Sequence, residues 1–308
     1  MNKVLKCILI IALITIVCIF AYKFFTREEV NVNVIGDEGA IFSKEELPRI
    51  DASLATQPLV SALINNFVGE EVTSEELEYS NTHPGYIKLI DGEKDLIVVT
   101  QPSEEELEYA KSKNVELEVI PVVNEGFVFY VNSENPVNSL SLEQIQDIYS
   151  GKITNWKDVG GEDNEIRAFQ RPVNSGSQTG MLSLVMKDKT LMEPPKEDLI
   201  ETMEAIVNLV SDYDNGLNSI GYSYYYYATT MFDTIDSTVR DKIKFIAVNG
   251  IEPNNETIKS HEYPLYTNYY IVIRKDEPEG SQVRKMIDAM LSDRGQAVAE
   301  EVGYVGIK

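Results

Sequence analysis

Cysteine and histidine are nearly missing from this chain of 308 residues. Its two cysteines, Cys7 and Cys18, both lie in one apolar run near the amino terminus. A disulfide framework, a cysteine metal site and a cysteine nucleophile are therefore excluded from the rest of the chain. With only His83 and His261, a histidine-rich metal site lacks ligands, and no cofactor is expected. Basic residues are also scarce: 27 Lys+Arg stand against 50 Asp+Glu, a formal charge of -23. Phosphate backbones and anionic lipid surfaces both call for clustered Lys and Arg. That balance argues against nucleic acid as a partner and against peripheral lipid binding. No internal repeat of about 20–50 residues is visible, which excludes a solenoid.

Hydrophobic residues make up 43% of the chain and charged residues 25%, ordinary values for a globular protein. The one long apolar run, residues 7–22, carries no charge. Lys3 and Lys6 precede it and Lys23 follows. It is short for a span of about 20 residues, but lysines at its ends can snorkel and lengthen it. No small-x-small cleavage site closes the run, so a retained anchor is expected rather than a cleaved signal. Lipidation at Cys18 is the alternative, with Val17 standing where a small residue is wanted. Lys3 and Lys6 favour a cytoplasmic start, which makes the body extracytoplasmic. The first 29 residues hold four basic and two acidic side chains, so 23 basic residues face 48 acidic ones beyond them. Residues 30–46 are polar and read as a linker.

Beyond the linker, short apolar strands alternate with helical patterns. Strands are predicted at residues 48–50, 96–99, 117–123, 127–131, 166–169, 243–248 and 269–273. Helices are predicted at 58–67, 102–113, 141–149, 178–186, 196–210, 283–291 and 295–302. This order implies an α/β architecture with largely parallel sheets. Asp212-Tyr213-Asp214-Asn215-Gly216 reads as a turn, since its glycine falls one place early for a calcium loop.

Three loops that open helices suit an anion. They are Ala52-Ser53-Leu54-Ala55-Thr56-Gln57-Pro58, then Tyr79-Ser80-Asn81-Thr82-His83-Pro84-Gly85, then Arg171-Pro172-Val173-Asn174-Ser175-Gly176-Ser177. A helix N-terminus presents free N–H groups and the positive end of its dipole. Hydroxyls add donors that rotate to suit. Arg171 adds a planar fork of N–H groups, and Gly176 permits close backbone approach. Taken alone, each such loop reads as an ordinary helix cap. The third is the more specific, because an arginine and a Ser-Gly-Ser turn share it. By the same weighing, the tyrosines 224–227 and Trp156 read as core packing, and His83 reads equally as a turn residue.

Arg171-x-x-x-Ser175-Gly176-Ser177 resembles the anion loop of the phosphate-binding proteins that serve phosphate-specific ABC transporters. The family writes Arg, three residues, then Ser-Gly-Thr; Ser177 replaces the threonine. The likeness extends through Ile50-Asp51-Ala52-Ser53, the stretch LEQIQDIYSGKITNW, Ser219-Ile220-Gly221-Tyr222, Tyr263-Pro264-Leu265 and Leu291-Ser292-Asp293-Arg294-Gly295-Gln296. It covers about residues 47–308.

The resemblance implies a two-lobed, type II periplasmic-binding-protein fold that closes on its ligand at a hinge. One lobe would take residues 47–124 plus 265–308 and the other 125–264, after an anchor at 1–29. Carried over by position, Thr56 and Gln57, then Thr82, possibly with His83, then Arg171, Ser175, Gly176 and Ser177 would contact inorganic phosphate. An ABC transporter permease would receive the ligand from a monomeric receptor. One position departs from the family. Before the proline that follows strand 96–99, many members carry an Asp that accepts the proton of monohydrogen phosphate. Here Thr100 stands there, and a hydroxyl that donates as well as accepts does not reject sulfate as a carboxylate would. Another oxyanion, an organic phosphate or a sensing role stays open beside phosphate. A phosphohydrolase would need Ser175 or Ser177 activated by a base such as His83, and no Gly-x-Ser-x-Gly or Walker lysine is present.

An acidic body repels an approaching anion, and salt screens that repulsion over about 8 Å at physiological ionic strength. Raising the ionic strength should therefore speed phosphate association in stopped-flow measurements. A flat or falling rate would sink this reading of the surface.

Overall fold

The computed structural model describes residues 39–69, 72–73, 77, 79–212, 216–231 and 238–308. All of them fall in the compact unit Val34–Lys308. The expected anchor at 1–29, most of the 30–46 linker and the 213–215 turn lie outside the described residues.

In chain order the elements are β1 (Ile50–Ala52), α1 (Gln57–Val68), α2 (Thr82–Ile90), β2 (Leu96–Val99) and α3 (Glu104–Ser112). Then follow β3 (Leu117–Asn132), β4 (Ser139–Leu140), α4 (Leu142–Tyr149), β5 (Arg167–Ala168) and α5 (Gly176–Gly180). The chain continues with α6 (Met203–Ser211), β6 (Ser219–Tyr224), β7 (Ile243–Phe245), β8 (Ala247–Val248) and α7 (Asn255–Lys259). It closes with β9 (Tyr266–Arg274), α8 (Gln282–Leu291), α9 (Asp293–Glu301) and β10 (Val305–Gly306).

Local chemistry sets the helix ends. Pro58 sits in the first turn of α1, where its missing N–H costs nothing, and Gly69 ends the helix at φ 70°. Ser103 and Glu106 form a reciprocal capping box on α3, as Ser141 and Gln144 do on α4. Two expected helices change. Residues 196–210 split into a 3-10 turn, Lys196–Asp198, and α6, because the Thr202 side chain accepts the Ala205 N–H and starts a fresh helix. The helix expected at 178–186 begins at Gly176, and past Gly180 it widens into a π-helical turn, Met181–Met186.

The spine is β3. The sequence suggests two strands with a break at Asn124-Glu125-Gly126, but the structure has one strand of 16 residues. From Leu117 to Gly126 it pairs with β9, and Val123 and Asn124 also meet β10. From Phe127 to Asn132 it pairs instead with β6 and β7. All these ladders are antiparallel, as is β2 on β9. Among the described strands, the parallel ladders are β1–β2, β5–β6 and β4–β8. The expectation of largely parallel sheets is therefore overturned. The alternation of strands and helices cannot show that β9 returns against both β2 and β3.

Two cores flank the spine. Ile97, Val99 and Val272 pack against Tyr86, Leu89 and Ile90 of α2 and Ala110 of α3. Around the second half of β3 the core is aromatic, with Phe127, Phe129, Tyr149 and Tyr222 joined by ring contacts of 5.4–6.2 Å. Trp156 is buried and donates Nε1–H to Asn218 O at 2.9 Å, which places it in packing. Gly221 is where this core tolerates no side chain: a Cβ would lie 2.5 Å from Ile206 Cγ2 and 2.8 Å from Tyr130 Cε2. Both neighbours are fully buried. Gly221→Ala should lower the unfolding free energy by about 1–3 kcal/mol. The check is a urea midpoint shift at unchanged slope.

Candidate functional site

The third loop leaves β5 and turns into α5. Arg171 N–H donates to the Tyr222 hydroxyl at 3.0 Å and to Gln178 Oε1 at 3.2 Å. The Tyr222 hydroxyl in turn donates to Gln178 Oε1. This ties the start of the loop to the aromatic core. Asn174 takes φ 66°, a left-handed position that asparagine tolerates, and its Nδ2 donates to the Glu105 carboxylate of α3. Ser175 caps α5: Oγ accepts Gln178 N–H at 3.3 Å, and its carbonyl accepts Thr179 N–H at 2.9 Å. The first-turn N–H groups of Gly176 and Ser177 then have no acceptor within the helix.

The Arg171 guanidinium is the main charge of the loop. Nε and Nη1 are both buried without a protein partner. Burial lowers its pKa from the ordinary arginine value, while Tyr222, Tyr130, Tyr227 and Glu201 oppose that. A guanidinium stays charged in this setting, so it keeps its N–H donors.

The second loop opens α2. Among the described residues no strand leads directly into it. Asn81 stands at φ 71° and is laced to the first loop: its N–H donates to Ala52 O at 3.3 Å, and its Oδ1 accepts Leu54 N–H at 3.3 Å. Asp51, fully buried, accepts the N–H groups of Ala52 and Ser80, each at 2.7 Å. Thr82 follows as the first residue of α2 and is buried. His83 Nδ1 and Glu106 Oε1 share a hydrogen bond of 3.0 Å. Burial pushes the Glu106 carboxyl up, and its bonds to Ser103 and His83 oppose this.

Thr100 ends β2. Its carbonyl accepts the Tyr86 hydroxyl at 2.7 Å, and its own Oγ1 is buried with no protein partner. Gly176 brings the pieces together. A Cβ placed on it would lie 2.8 Å from Thr82 Oγ1 and 2.8 Å from Thr100 Oγ1. The loop carrying Arg171 therefore rests against both hydroxyls, and only glycine permits this approach.

The first loop is held differently. The Thr56 hydroxyl donates to Val98 O at 2.5 Å and accepts Ser53 N–H at 3.1 Å. The N–H groups of Thr56 and Gln57 both go to Ser53 O, at 3.0 and 2.9 Å. Thr56 thus staples the loop to β2. The Gln57 side chain is half-buried beside it. The structure brings Thr82, Thr100 and Gly176 into direct proximity, with Arg171, Ser175 and Ser177 on the same short loop as Gly176. Thr56 and Gln57 lie on the first loop, which is laced to the second through Ala52, Leu54 and Asn81.

Other parts of the site were not singled out by sequence. Gln101 Nε2 donates to Ser183 Oγ at 2.8 Å, a second bond between the β2 end and the α5 region. The Tyr224 hydroxyl donates to Gly176 O at 3.0 Å. Tyr222 and Gln178 orient Arg171. The tyrosine run held a signal for this, but its pairings span the chain. Among the described residues, no group of three His, Cys, Asp or Glu could hold a metal ion. No described helix is long and apolar enough to cross a membrane.

Comparison with known proteins agrees with this geometry. The family model for a PBP superfamily domain matches residues 49–294. A phosphate-binding protein, PstS, of Staphylococcus aureus is 28% identical over 261 residues, spanning 83% of this chain and 76% of its own. Among solved structures, an ABC-type phosphate transport receptor from Vibrio cholerae aligns with a TM-score of 0.61 at 23% identity, covering 83% of this chain and 98% of that one. PstS from Borrelia burgdorferi aligns with a TM-score of 0.55 at 23% identity, over 84% and 98%. The fold is thus the two-lobed α/β fold of type II binding proteins.

Gly176→Ala forces a methyl group into the Thr82 and Thr100 hydroxyls. Oxyanion affinity should fall by about tenfold to a hundredfold, the equivalent of the 1–3 kcal/mol typical of overpacking. Titration calorimetry with phosphate checks it.

Proposed function

Because this chain belongs to the PBP superfamily, we propose that it is an extracytoplasmic receptor that captures inorganic phosphate between two lobes and delivers it to an ABC transporter permease. One observation carries the reading. The loop holding Arg171, whose Nε and Nη1 are buried without a protein partner, rests on two buried hydroxyls, Thr82 and Thr100, through a glycine whose Cβ would crowd both. An oxyanion placed there would take N–H bonds from Arg171, Gly176 and Ser177 and hydroxyl bonds from Thr82 and Thr100. Charge-assisted bonds of this kind are about twice as strong as neutral ones.

The proposed lobes are residues 47–124 plus 265–308, and 125–264. The change of β3 partners between Gly126 and Phe127 supports a crossing there. The second crossing falls just ahead of β9. Residues 1–29 would anchor a monomeric receptor to the membrane, with 30–46 as the linker. A hydrolytic role is not favoured. Ser175 Oγ is engaged as a helix cap, and His83 Nδ1 is engaged by Glu106, so neither forms a nucleophile–base pair. With Thr100 in place of a carboxylate, sulfate competes on hydrogen-bond grounds, because a hydroxyl can donate to it.

Thermal unfolding of ligand-stripped protein tests this directly. At 100 times its dissociation constant, a single ligand adds about 2.7 kcal/mol. For a chain of this size the midpoint should rise by roughly 5–10 °C with phosphate. The shift should vanish in Arg171→Ala. Equal shifts with phosphate and sulfate would make it a general oxyanion receptor, and no shift with either would overturn the phosphate reading.

A further inference from the structure

One buried acid has no part in the site as described. Glu125 is 2% exposed and lies on β3 immediately before its change of partners. Its Oε1 accepts Gly126 N–H at 2.8 Å and Tyr226 N–H at 3.2 Å. Its Oε2 is buried with no protein partner, and so is the hydroxyl of Tyr269, which faces the carboxyl from β9. Among the described residues no Lys, Arg or His lies within ion-pair distance of it.

Two tyrosine arms run from this point to the anion loops. Tyr226, whose N–H bonds Glu125, stacks on Tyr304 with ring centres 3.6 Å apart and 13° between planes. The Tyr304 hydroxyl donates to Ala55 O of the first loop at 2.7 Å. On the other side, Tyr269 packs on Tyr224 at 5.4 Å, and the Tyr224 hydroxyl donates to Gly176 O of the third loop. Tyr269 and Tyr304 also meet edge to face at 6.2 Å. A single carboxyl therefore sits between the groups that hold two of the three anion loops.

We propose that Glu125 is a positioning residue for the oxyanion site: its carboxyl ties the strand crossing to the Tyr226 arm and faces the Tyr269 arm, which keeps the first and third loops aligned, and a negative charge placed there weakens anion binding. This rests on the oxyanion reading above. Burial pushes the Glu125 carboxyl up to about 8, opposed by the N–H groups of Gly126 and Tyr226 and by the Tyr269 hydroxyl. The groups facing it are phenols: Tyr269 from β9, Tyr224, Tyr225 and Tyr226 from β6 and the segment after it, and Tyr304 from the chain end. Arg240 acts on Tyr225, and His261 Nε2 lies 3.3 Å from Oδ1 of the neighbouring Asn124. The sign follows from the raised value. The folded form keeps its proton above the usual carboxylate range, so its contribution is present at low pH and lost as pH rises through about 8.

The experiment measures phosphate dissociation constants of the full chain from pH 6.5 to 9.5, for wild type, Glu125→Gln and Arg171→Ala. Glutamine keeps an acceptor for Gly126 and Tyr226 but cannot ionise. The wild-type to Glu125→Gln ratio cancels the titration of phosphate itself. That ratio should rise by about tenfold between pH 7 and 9.5, as expected for a group that must hold its proton. A constant ratio, with wild type binding and Arg171→Ala not, overturns the role of Glu125 alone. Absence of wild-type binding overturns the site reading and this inference with it. If Glu125→Gln does not fold, Tyr269→Phe carries the test. It removes the hydroxyl that faces the carboxyl and favours its ionised form, so the affinity step should move to higher pH, and an unmoved step overturns the proposal.

Discussion

The Arg171 guanidinium is held in a tyrosine-lined position, with Nε and Nη1 out of water and without a protein acceptor. A buried charge without a partner costs several kcal/mol, which a fold retains only when something else offsets it. Much of the second core can be read as the support for that placement. Tyr222 and Gln178 fix the Arg171 backbone, and the ring cluster of Phe127, Phe129 and Tyr149 fixes Tyr222. The unpaired N–H donors gain most from an anion that the loops can close around. This is how preorganised sites concentrate affinity: the desolvation is met on folding, and the ligand meets donors already aligned.

Rigidity at Arg171 is useful only if the opposite wall is equally fixed. That wall is Thr82 and Thr100, and both are set by short-range chemistry. Asp51 and Asn81 tie the second loop to the first, while the Tyr86 hydroxyl holds the carbonyl of Thr100. Gln101 to Ser183 and Asn174 to Glu105 then join the two walls directly. The site is thus a meeting of two well-braced surfaces rather than a flexible pocket. Closing them together lets the Thr100 hydroxyl, unpartnered within the protein, share one small volume with the guanidinium's loop.

Sequence carried the local half of this and missed the non-local half. The run Leu96-Ile97-Val98-Val99 is a strand to the residue because a short β-branched stretch between polar breaks has few alternatives. Arg171 and the Ser-Gly-Ser turn were legible because anion loops concentrate their donors within a few positions. The single strand β3 was not legible, since Asn124-Glu125-Gly126 has the composition of a turn. Pairing with β9 on one side and β6 on the other keeps it extended, and Glu125 satisfies the Gly126 N–H at the switch. The bond from the Thr56 hydroxyl to Val98 O depends on β2 lying alongside the first loop, which no local pattern shows. The Tyr224 and Tyr304 hydroxyl bonds to the anion loops join residues 48 and 249 positions apart, beyond any periodicity argument.

Charge balance gives a physical reason for the threonine at position 100. A helix N-terminus is equivalent to about half a positive charge, and α2 and α5 begin at Thr82 and Gly176, which lie against each other. With the guanidinium, the proposed site would carry about two positive charges against a dianion. A carboxylate at position 100 would reject unprotonated oxyanions by repulsion, at the expense of one unit of that balance. In a body with 48 acidic residues beyond its first 29, that unit is harder to spare than in a neutral one. A hydroxyl keeps the full balance, and it can still accept the proton of monohydrogen phosphate while the guanidinium and helix N–H groups take the other oxygens. Selectivity would then rest less on repulsion at Thr100 and more on how closely Gly176 brings the two walls together.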